Sequence, residues 1–539
     1  MDQIYYNGKI ITMNASDEIQ ERRMEPQAVL VRDGKIKMVG RLLDIEECAE
    51  ASAYRRNLEG KCLMPAFIDA HSHFVMNGQM SAMANLSDCK SFDEVISALR
   101  KYIKDRKLTD KDVVLGFGYD HNFLKENAHP DKRVLDQVSL QIPIVILHVS
   151  AHLACANSAA LRLAHIDERT RNPDGGVFGR FQGSSEPSGY AEETAVGLLQ
   201  AAVVPRVKFD ISSVMRDMQT EYIKNGITTV QDGASTQKDI EMLIKMNADG
   251  CLKLDVVSYL LMTADGESVM RLYGEEYCKY KNHFKIGGYK VVLDGSPQGR
   301  SAWMSEPYLG GESVYCGYPW LKDDVLYRYI QTAMNEERQI LAHCNGDAAS
   351  EQFISVYESV LENTEKKKNL RPVMIHCQTV RNDQLDRMAK ISMIASVFVG
   401  HVWYWGDVHM RNFGTERGSH ISPVKDALDR GICVNFHQDT PVTRPDMLHS
   451  VWCAVNRVSR SGCKIGEDQA IGVYDALKAV TVNAAYQYFE EDTKGSIAAG
   501  KRADLVILDK SPLDVDKMAI RDIRVLETIK DGETVYRRN

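Results

Sequence analysis

The segment from Leu63 to Phe74, LMPAFIDAHSHF, places two histidines directly after an apolar run. The run predicts a buried strand, and the end of that strand carries His71 and His73. Side chains two positions apart on a strand point to the same side, so the two imidazoles can bind one metal ion. A chance pair or two core histidines would explain an isolated His-x-His equally well, so the rest of the chain has to decide.

Seven further short apolar runs alternate with helical patterns along the chain. Such alternation is typical of parallel strands joined by crossover helices. Eight runs predict an α/β fold with a (β/α)8 barrel of the TIM type. The predicted strands are Leu63–Asp69, Ile227–Asp232, Leu252–Leu261, Gly288–Leu293, Gln339–Ala342, Pro372–Ile375, Ser392–Val399 and Ile432–Phe436.

Both ends of the chain predict small β units. Asp33-Gly34 and Asp531-Gly532 lie between β-rich segments and are strong hairpin signals. We therefore expect residues 1–62 and 485–539 to form one composite β-sandwich beside a barrel domain of residues 63–484. About 150 residues separate the first two predicted barrel strands, and they contain strand and helix patterns of their own. Residues 75–225 are thus expected to be a folded insertion near the barrel mouth.

Polar residues that suit metal binding lie at the ends of several other predicted strands. Lys290 lies in the fourth, His343 and His376 end the fifth and sixth, and Asp439 follows the eighth. The carboxyl ends of barrel strands converge on one face, where active sites lie. Each residue alone is compatible with a core histidine or an ion-paired lysine, but their shared position predicts one metal centre.

Composition excludes several classes of protein. The chain has 539 residues, a net charge of −8 and 44% hydrophobic residues, which predicts a sizeable core and no basic surface for nucleic acid. The first residues lack the pattern of a secretory signal, and no apolar stretch reaches the roughly 20 residues of a membrane span. The 12 cysteines, with no C-x-x-C pair, predict reduced thiols. We expect a cytoplasmic protein with no membrane or nucleic-acid partner, and a homodimer is the expected assembly.

Longer motifs of the chain resemble the amidohydrolase superfamily, and within it the family 3 branch that includes N-substituted formamide deformylases. The resemblance covers nearly the whole chain. The segments that carry it are PAFIDAHSHF (Pro65–Phe74), HLACANSAAL (His152–Leu161), GITTVQDG (Gly226–Gly233), KVVLDGSPQGRSA (Lys290–Ala302), HCNGD (His343–Asp347), QDTPV (Gln438–Val442) and GSIAAGKRADLVIL (Gly495–Leu508).

The resemblance implies a centre of one or two divalent metal ions, with zinc as the first choice. The implied ligands are His71, His73 and Asp439 for one ion, His343 and His376 for a second, and an N-carboxylated Lys290 as the bridge. An amine cannot bridge two cations, whereas a carbamate supplies two anionic oxygens. Asp439 would also be the catalytic residue that carries a proton from the attacking water to the leaving nitrogen. The implied activity is hydrolysis of a linear or cyclic non-peptide amide, a small molecule, by a metal-activated hydroxide.

Four further residues are candidates for substrate binding. His152 lies in one of the motifs, on the insertion. His401 follows the seventh predicted strand and would orient a carbonyl or pack beside tryptophans. Arg300 and Arg444 follow the fourth and eighth strands, where a guanidinium can bind a carboxylate bidentately. Structural roles are equally compatible with all four.

Two other functions compete with amide hydrolysis. A metal-dependent deaminase on this scaffold typically has a glutamate three residues after a strand-end histidine, and here those positions are Gly346 and Thr379. A non-catalytic binding or regulatory relative is expected to lose metal ligands, yet all six positions are filled. The hydrolase is therefore favoured.

Overall fold

The computed structural model describes residues 2–14, 26–150, 153–173, 175–207, 211–310, 314–364 and 368–538. Contacts divide the chain into two compact units, one made of Met1–Val75 with Gln219–Asn539 and the other of Met76–Met218. No helix among these described residues is long and apolar enough to cross a membrane.

Eight parallel strands of the first unit form one sheet in sequence order, as in a TIM-like barrel. Backbone hydrogen bonds from His73 to Thr440 (2.8 Å) and from Asp439 to His71 (3.3 Å) join the segments that follow the first and the last strand. These bonds bring the two ends of the sheet together. The strands are Phe67–Ile68, Ile227–Ser235, Asp255–Leu261, Phe284–Val292, Gln339–Cys344, Val373–His376, Ile394–Val397 and Val434–Phe436.

The first barrel strand is shorter than the sequence predicts, because the run Leu63–Asp69 is divided between two sheets. Cys62–Pro65 pairs with a strand from the carboxyl terminus, whereas Phe67–Ile68 pairs with the second barrel strand. Ala66, between them, donates to the carbonyl of Asp504 at 2.9 Å. Both halves are buried and apolar, so hydrophobicity alone does not mark the change of partner.

Helices follow the barrel strands and pack an apolar stripe against the sheet. In Asp323–Asn335, for example, Leu326, Ile330 and Ala333 are buried. Two aspartates occupy the first turn, where their negative charges interact favourably with the positive end of the helix dipole. The helices of this region are Gln237–Ala248, Gly266–Tyr277, Asp323–Asn335, Asp347–Glu362, Asn382–Lys390, His401–Ser419, Val424–Asp429, Met447–Asn456, Val473–Ala479 and Val482–Gln487, with 3-10 turns at Glu467–Gln469 and Lys517–Asp522.

Strands from both ends of the chain form two small sheets that share one hydrophobic core, which includes Tyr5, Val29, Leu63 and Leu505. The Asp33-Gly34 and Asp531-Gly532 pairs have positive φ and connect antiparallel strands, as the hairpin signals predict. One sheet contains Lys35–Gly40, Ala28–Arg32, Gln3–Tyr6 and Tyr54–Asn57, and the other Lys9–Ile10, Cys62–Pro65, Leu505–Leu508, Val525–Lys530 and Glu533–Arg537. Helix Leu42–Cys48 packs on the first sheet. The limits assigned to a composite domain stay a prediction.

The unit Met76–Met218 has a six-stranded sheet of its own, with hydrophobic clusters that include Val145 and Leu199 in one and Val95 and Leu135 in another. Its strands, in sheet order, are Gly176–Arg180, Pro187–Glu193, Leu153–Ala156, Ile144–His148, Val114–Tyr119 and Ala84–Asn85. Its helices are Phe92–Asp105, Lys132–Asp136, Ser158–Leu163 and Thr194–Val203, with a 3-10 turn at Val204–Arg206, and helices Phe74–Ser81 and Ile211–Lys224 cross its limits.

Candidate metal centre

The carboxyl ends of the barrel strands, which we call the barrel mouth, bring the six predicted ligands together. His71 and His73 both contact Asp439, and Lys290 contacts His71. The ring of His376 packs against the rings of His71 and His343. The ligands come from five strands or the residues just after them: His71, His73, Lys290, His343, His376 and Asp439.

Asp439 lies at the centre of this cluster. Its Oδ1 is 3.4 Å from Nε2 of His71 and 3.3 Å from Nε2 of His73. The oxygen is buried and has no hydrogen-bond partner among the described residues. One ligand atom each from His71, His376 and Asp439 also lies within 4.8 Å of the others. A buried carboxylate oxygen that faces two imidazole nitrogens without a hydrogen-bond partner among the described residues indicates a position for a cation.

The spacing of these atoms fits a bound metal ion. Ligand atoms about 2.1 Å from a tetrahedral zinc ion lie roughly 3.4 Å from one another. The distances from Asp439 to His71 and His73 have this length. Two imidazoles and a carboxylate are also a donor set that zinc and similar divalent ions accept. The residues present therefore fit the group that the sequence predicts.

Lys290 is buried in this cluster, with 1% of its surface exposed. Its Nζ lies 3.3 Å from Nε2 of His71. Burial lowers the pKa of Lys290 to about 7, although the charge of Asp439 opposes the shift. A large neutral fraction is thus available near pH 7, and a neutral amine is the form that can react with carbon dioxide. Carboxylation of this lysine stays a prediction.

His343 and His376 form the other side of the cluster, with ring centroids 4.4 Å apart. Burial lowers the pKa of His376 well below its ordinary value, and the neighbouring His343 adds to the shift. The ring is therefore neutral, the state in which imidazole binds metals. Its Nδ1 is 3.2 Å from Nε2 of His437, whose own Nδ1 is 3.0 Å from the Ser396 hydroxyl.

Two residues that the sequence analysis did not single out orient the ligands. Gln231 accepts a hydrogen bond from Nδ1 of His71 at 2.5 Å, which leaves Nε2 facing Asp439. Asp294 contacts Nδ1 of His343 at 3.1 Å and accepts the backbone N–H groups of Asn345 and Gly346. Such outer contacts fix the tautomer and direction of a metal-binding imidazole. Asp294 is a polar residue just after the fourth barrel strand and so fits the strand-end pattern, although its role is not visible in the sequence; Gln231 lies within the second strand and does not fit the pattern.

The backbone is unusual at two of the predicted ligands. His376 has φ 72° and Asp439 has φ 52°, and Cys377 continues the left-handed region with φ 48°. Non-glycine residues with such angles are uncommon, and they cluster at functional sites, where the surrounding structure holds them. The fold thus holds these two side chains in place at a cost in backbone energy.

The predicted substrate-binding residues are less uniformly placed. His401 is buried, and burial lowers its pKa well below the ordinary value. It lies beside the cluster, where the charges of Asp439 and His343 also act on its pKa. Its Nδ1 is 3.0 Å from Nε2 of His409. Arg300 donates from Nε to the Asn412 amide at 3.0 Å. Arg444 is exposed, and its charge acts on the pKa of Tyr404. His152 lies outside the described residues.

Comparison with known proteins agrees with this geometry. The sequence pattern of the amidohydrolase family matches residues 56–536, a range that contains all six predicted ligands. The chain is 26% identical to the amidohydrolase YtcJ of Bacillus subtilis (strain 168), with 100% of both chains covered. It is 27% identical to an N-substituted formamide deformylase of Arthrobacter pascens, with 100% of this chain and 98% of the relative covered.

A solved structure shares the fold. It belongs to an uncharacterized metal-dependent hydrolase from Pyrococcus horikoshii OT3 and has a TM-score of 0.77 at 24% identity, covering 96% of this chain and 99% of that one. The match between the family pattern and nearly the full length identifies the chain. It belongs to the amidohydrolase family of metal-dependent hydrolases, in the YtcJ-like branch of amidohydrolase family 3.

Proposed function

We propose that this protein hydrolyses a carbon–nitrogen bond of a non-peptide amide, linear or cyclic, in a small molecule. The observation that carries the proposal is the buried Asp439 Oδ1, which faces the Nε2 atoms of His71 and His73 at 3.4 and 3.3 Å without a hydrogen-bond partner among the described residues. The name of the Arthrobacter pascens relative, a deformylase of N-substituted formamides, favours this class of bond.

The ligand set supports a centre of one or two divalent ions, with zinc as the first choice. When bound, such ions supply a Lewis acid for the amide carbonyl and lower the pKa of water. His71, His73 and Asp439 would hold one ion, and His343 and His376 a second. Lys290, within 3.3 Å of His71, would join the two sites as a carbamate.

Asp439 would carry the proton. Burial opposes ionisation of its carboxyl, but the adjacent imidazoles of His376 and His73 hold its pKa well below the ordinary value. The carboxylate can therefore take a proton from the attacking water and give it to the leaving nitrogen. Water and amide then become a carboxylate and an amine, without a covalent enzyme intermediate.

The imidazoles of the cluster are poorer candidates for this proton transfer than Asp439. Burial lowers the pKa of His71 well below its ordinary value, and Nδ1 of the ring is already engaged by Gln231. Nδ1 of His343 is likewise engaged, by Asp294 at 3.1 Å. These contacts leave the Asp439 carboxylate as the proton carrier that faces the ligand atoms.

The surroundings of Gly346 and Thr379 support a hydrolase rather than a deaminase, because these are the positions where a deaminase would carry its acidic glutamate. A side chain at Gly346 would start 1.8 Å from the carbonyl oxygen of Trp303, so no glutamate fits there. Thr379 donates its hydroxyl to the carbonyl of Asn345 at 2.7 Å. Neither position offers a group that could protonate a ring nitrogen.

The proposal is tested with a panel of N-formyl, N-acyl and cyclic amides, on zinc-loaded and chelated protein, with amine release as the readout. We expect turnover of at least one substrate class, loss of turnover after chelation, and a decrease in kcat of about 10²–10⁴-fold for Asp439→Asn. Asp429→Asn, an exposed acid paired with Lys425, is the matched control and should behave as wild type.

Two results would contradict the proposal. A near-normal kcat for Asp439→Asn would show that Asp439 is not the proton carrier. Strong zinc binding without turnover of any amide, unchanged by Asp439→Asn, would instead favour the non-catalytic binding or regulatory relative.

A further inference from the structure

A second group of metal-binding side chains lies within the unit Met76–Met218. Strands Val114–Tyr119 and Ile144–His148 are parallel neighbours, and His148 lies opposite Tyr119 in the register. Asp120 and His121 follow Tyr119 directly, so these two residues and His148 lie close together at the carboxyl ends of two adjacent parallel strands. The same rule that assembles the barrel mouth operates here on a different sheet.

Three donor atoms converge at this place. Nδ1 of His121 is 3.2 Å from Nε2 of His148, and Oδ1 of Asp120 is 3.5 Å from that Nε2 and 3.8 Å from that Nδ1. A ring nitrogen carries at most one hydrogen, so Nε2 of His148 cannot satisfy both neighbours at once. A shared cation between the three atoms removes this conflict.

From this convergence, we propose that Asp120, His121 and His148 bind a divalent transition-metal cation, with zinc as the probe. Ligand atoms about 2.1 Å from an ion lie roughly 3.0–3.4 Å apart in octahedral or tetrahedral geometry, and the shortest two of the three separations are close to that range. Two imidazoles and one carboxylate suit zinc and neighbouring divalent metals rather than calcium or magnesium.

The surroundings hold the three ligands in place. The Ser150 hydroxyl lies 2.8 Å from Nδ1 of His148 and the Ser150 backbone N–H donates to the same atom at 3.1 Å, which turns Nε2 of the ring toward Asp120 and His121. Asn122 donates to Oδ1 of Asp120 from its backbone and its side-chain amide, both at 2.9 Å. The ring of His129 packs at 4.1 Å from that of His121. Outer contacts of this kind are typical of metal sites.

The site is partly open to solvent, which allows an ion to enter. The side chain of His121 is 29% exposed and that of Asp120 15%, whereas His148 is 8% exposed. With three protein ligands, at least one coordination position would be left for water or another small ligand.

The first test counts metal ions on the full-length protein. Protein equilibrated with micromolar zinc is analysed by inductively coupled plasma mass spectrometry for wild type, His148→Asn and Asp120→Asn. We expect both variants to bind about one zinc ion per chain fewer than wild type. The control His165→Asn, at an exposed histidine of the same unit, should match wild type. Equal zinc content in all four proteins would overturn the proposal.

A second test uses the wild-type protein and does not depend on the folding of any variant. Histidines are modified with diethylpyrocarbonate with and without zinc, and modified peptides are quantified by mass spectrometry. We expect zinc to protect His121 by about tenfold or more and to leave His165 unprotected, as for a ligand nitrogen bound to metal. Equal modification of His121 with and without zinc would overturn the proposal, whatever the barrel mouth binds.

Discussion

Two buried aspartates of the barrel unit, Asp255 and Asp439, differ in what faces their carboxylates. Asp255 begins the third barrel strand, and Lys494 (2.5 Å), Lys530 (2.9 Å) and Arg502 (3.0 Å) all contact its Oδ2. Asp439 follows the eighth strand, and its Oδ1 faces the imidazole nitrogens of His71 and His73 instead.

The difference separates a structural charge from a functional one. A carboxylate that loses its hydration on burial is stabilised when cations and N–H donors surround it. Asp255 has such partners, including Nδ1 of His283 at 2.8 Å on its other oxygen. Asp439 faces the ring of His71, which burial keeps neutral. Its Oδ1 has no hydrogen-bonded cation among the described residues, and a bound metal ion would supply that positive charge.

The largest effect that would test this contrast is on stability. Asp255→Asn leaves Lys494, Lys530 and Arg502 with uncompensated charges, so the free energy of unfolding should fall by about 3–5 kcal/mol. Asp439→Asn removes a charge whose Oδ1 has no hydrogen-bonded lysine or arginine among the described residues, so the chelated variant should lose much less stability than Asp255→Asn. Urea unfolding of the chelated proteins measures both. A loss of several kcal/mol in Asp439→Asn would mean that this carboxylate is structurally paired.

A smaller effect is expected on metal affinity. Asp294 contacts Nδ1 of His343, so Asp294→Asn should weaken zinc binding at the barrel mouth by about 10–100-fold, as outer-contact substitutions do. Asp265→Asn is the matched control, because Asp265 also follows a barrel strand and accepts a backbone N–H, that of Gln237. Competition with a coloured chelator measures the affinities. Equal affinity in the two variants would exclude a role of Asp294 in orienting His343.

The state of Lys290 gives a third prediction. Because burial makes its amine largely available in the neutral form, we expect native mass spectrometry of the metal-loaded protein to show an additional mass of about 44 Da from bound carbon dioxide. Lys290→Met should lack this mass and bind one metal ion fewer per chain. A lysine without added mass in fully loaded, active protein would contradict the carbamate bridge and favour a one-metal centre.

The smallest predicted effect is the acid response of Asp255. Burial opposes its ionisation, but Lys494 and Lys530 hold its pKa well below the ordinary value of 3.8. A lowered folded-state pKa contributes stability that is present above the unfolded value and lost as pH falls through the folded one. The difference in unfolding free energy between wild type and Asp255→Asn should therefore be constant above about pH 5 and shrink as pH falls below about 4. A constant difference down to pH 3 would contradict the shift.

The strand-end rule predicted the six candidate ligands from the sequence, and the structure brings them together. The six side chains lie together because a parallel barrel fixes which ends of the strands meet, and residues such as His343 and His376 are visible as polar interruptions after apolar runs. The rule did not reveal that Leu63–Asp69 serves two sheets, since both halves are equally buried. The hydrophobic pattern indicates which residues are buried, but it does not indicate which strands pair with one another.

Contacts between side chains were beyond the sequence analysis. Gln231 and Asp294 orient ligands from neighbouring strands, and their roles depend on distances that only the assembled barrel defines. His148 interrupts an apolar run in the sequence, yet its approach to His121 depends on the register of two strands. Whether Arg300 or Arg444 reaches a substrate depends equally on loop conformation, which residue patterns do not determine.

The most direct test of the metal centre is an anomalous difference map at the zinc edge, from crystals of the full-length protein grown with zinc. We predict a peak at the barrel mouth within about 2.0–2.3 Å of Nε2 of His71, Nε2 of His73 and Oδ1 of Asp439. A map without a peak there, with these side chains hydrogen-bonded to one another or to water, would contradict the assignment of this cluster as a metal site.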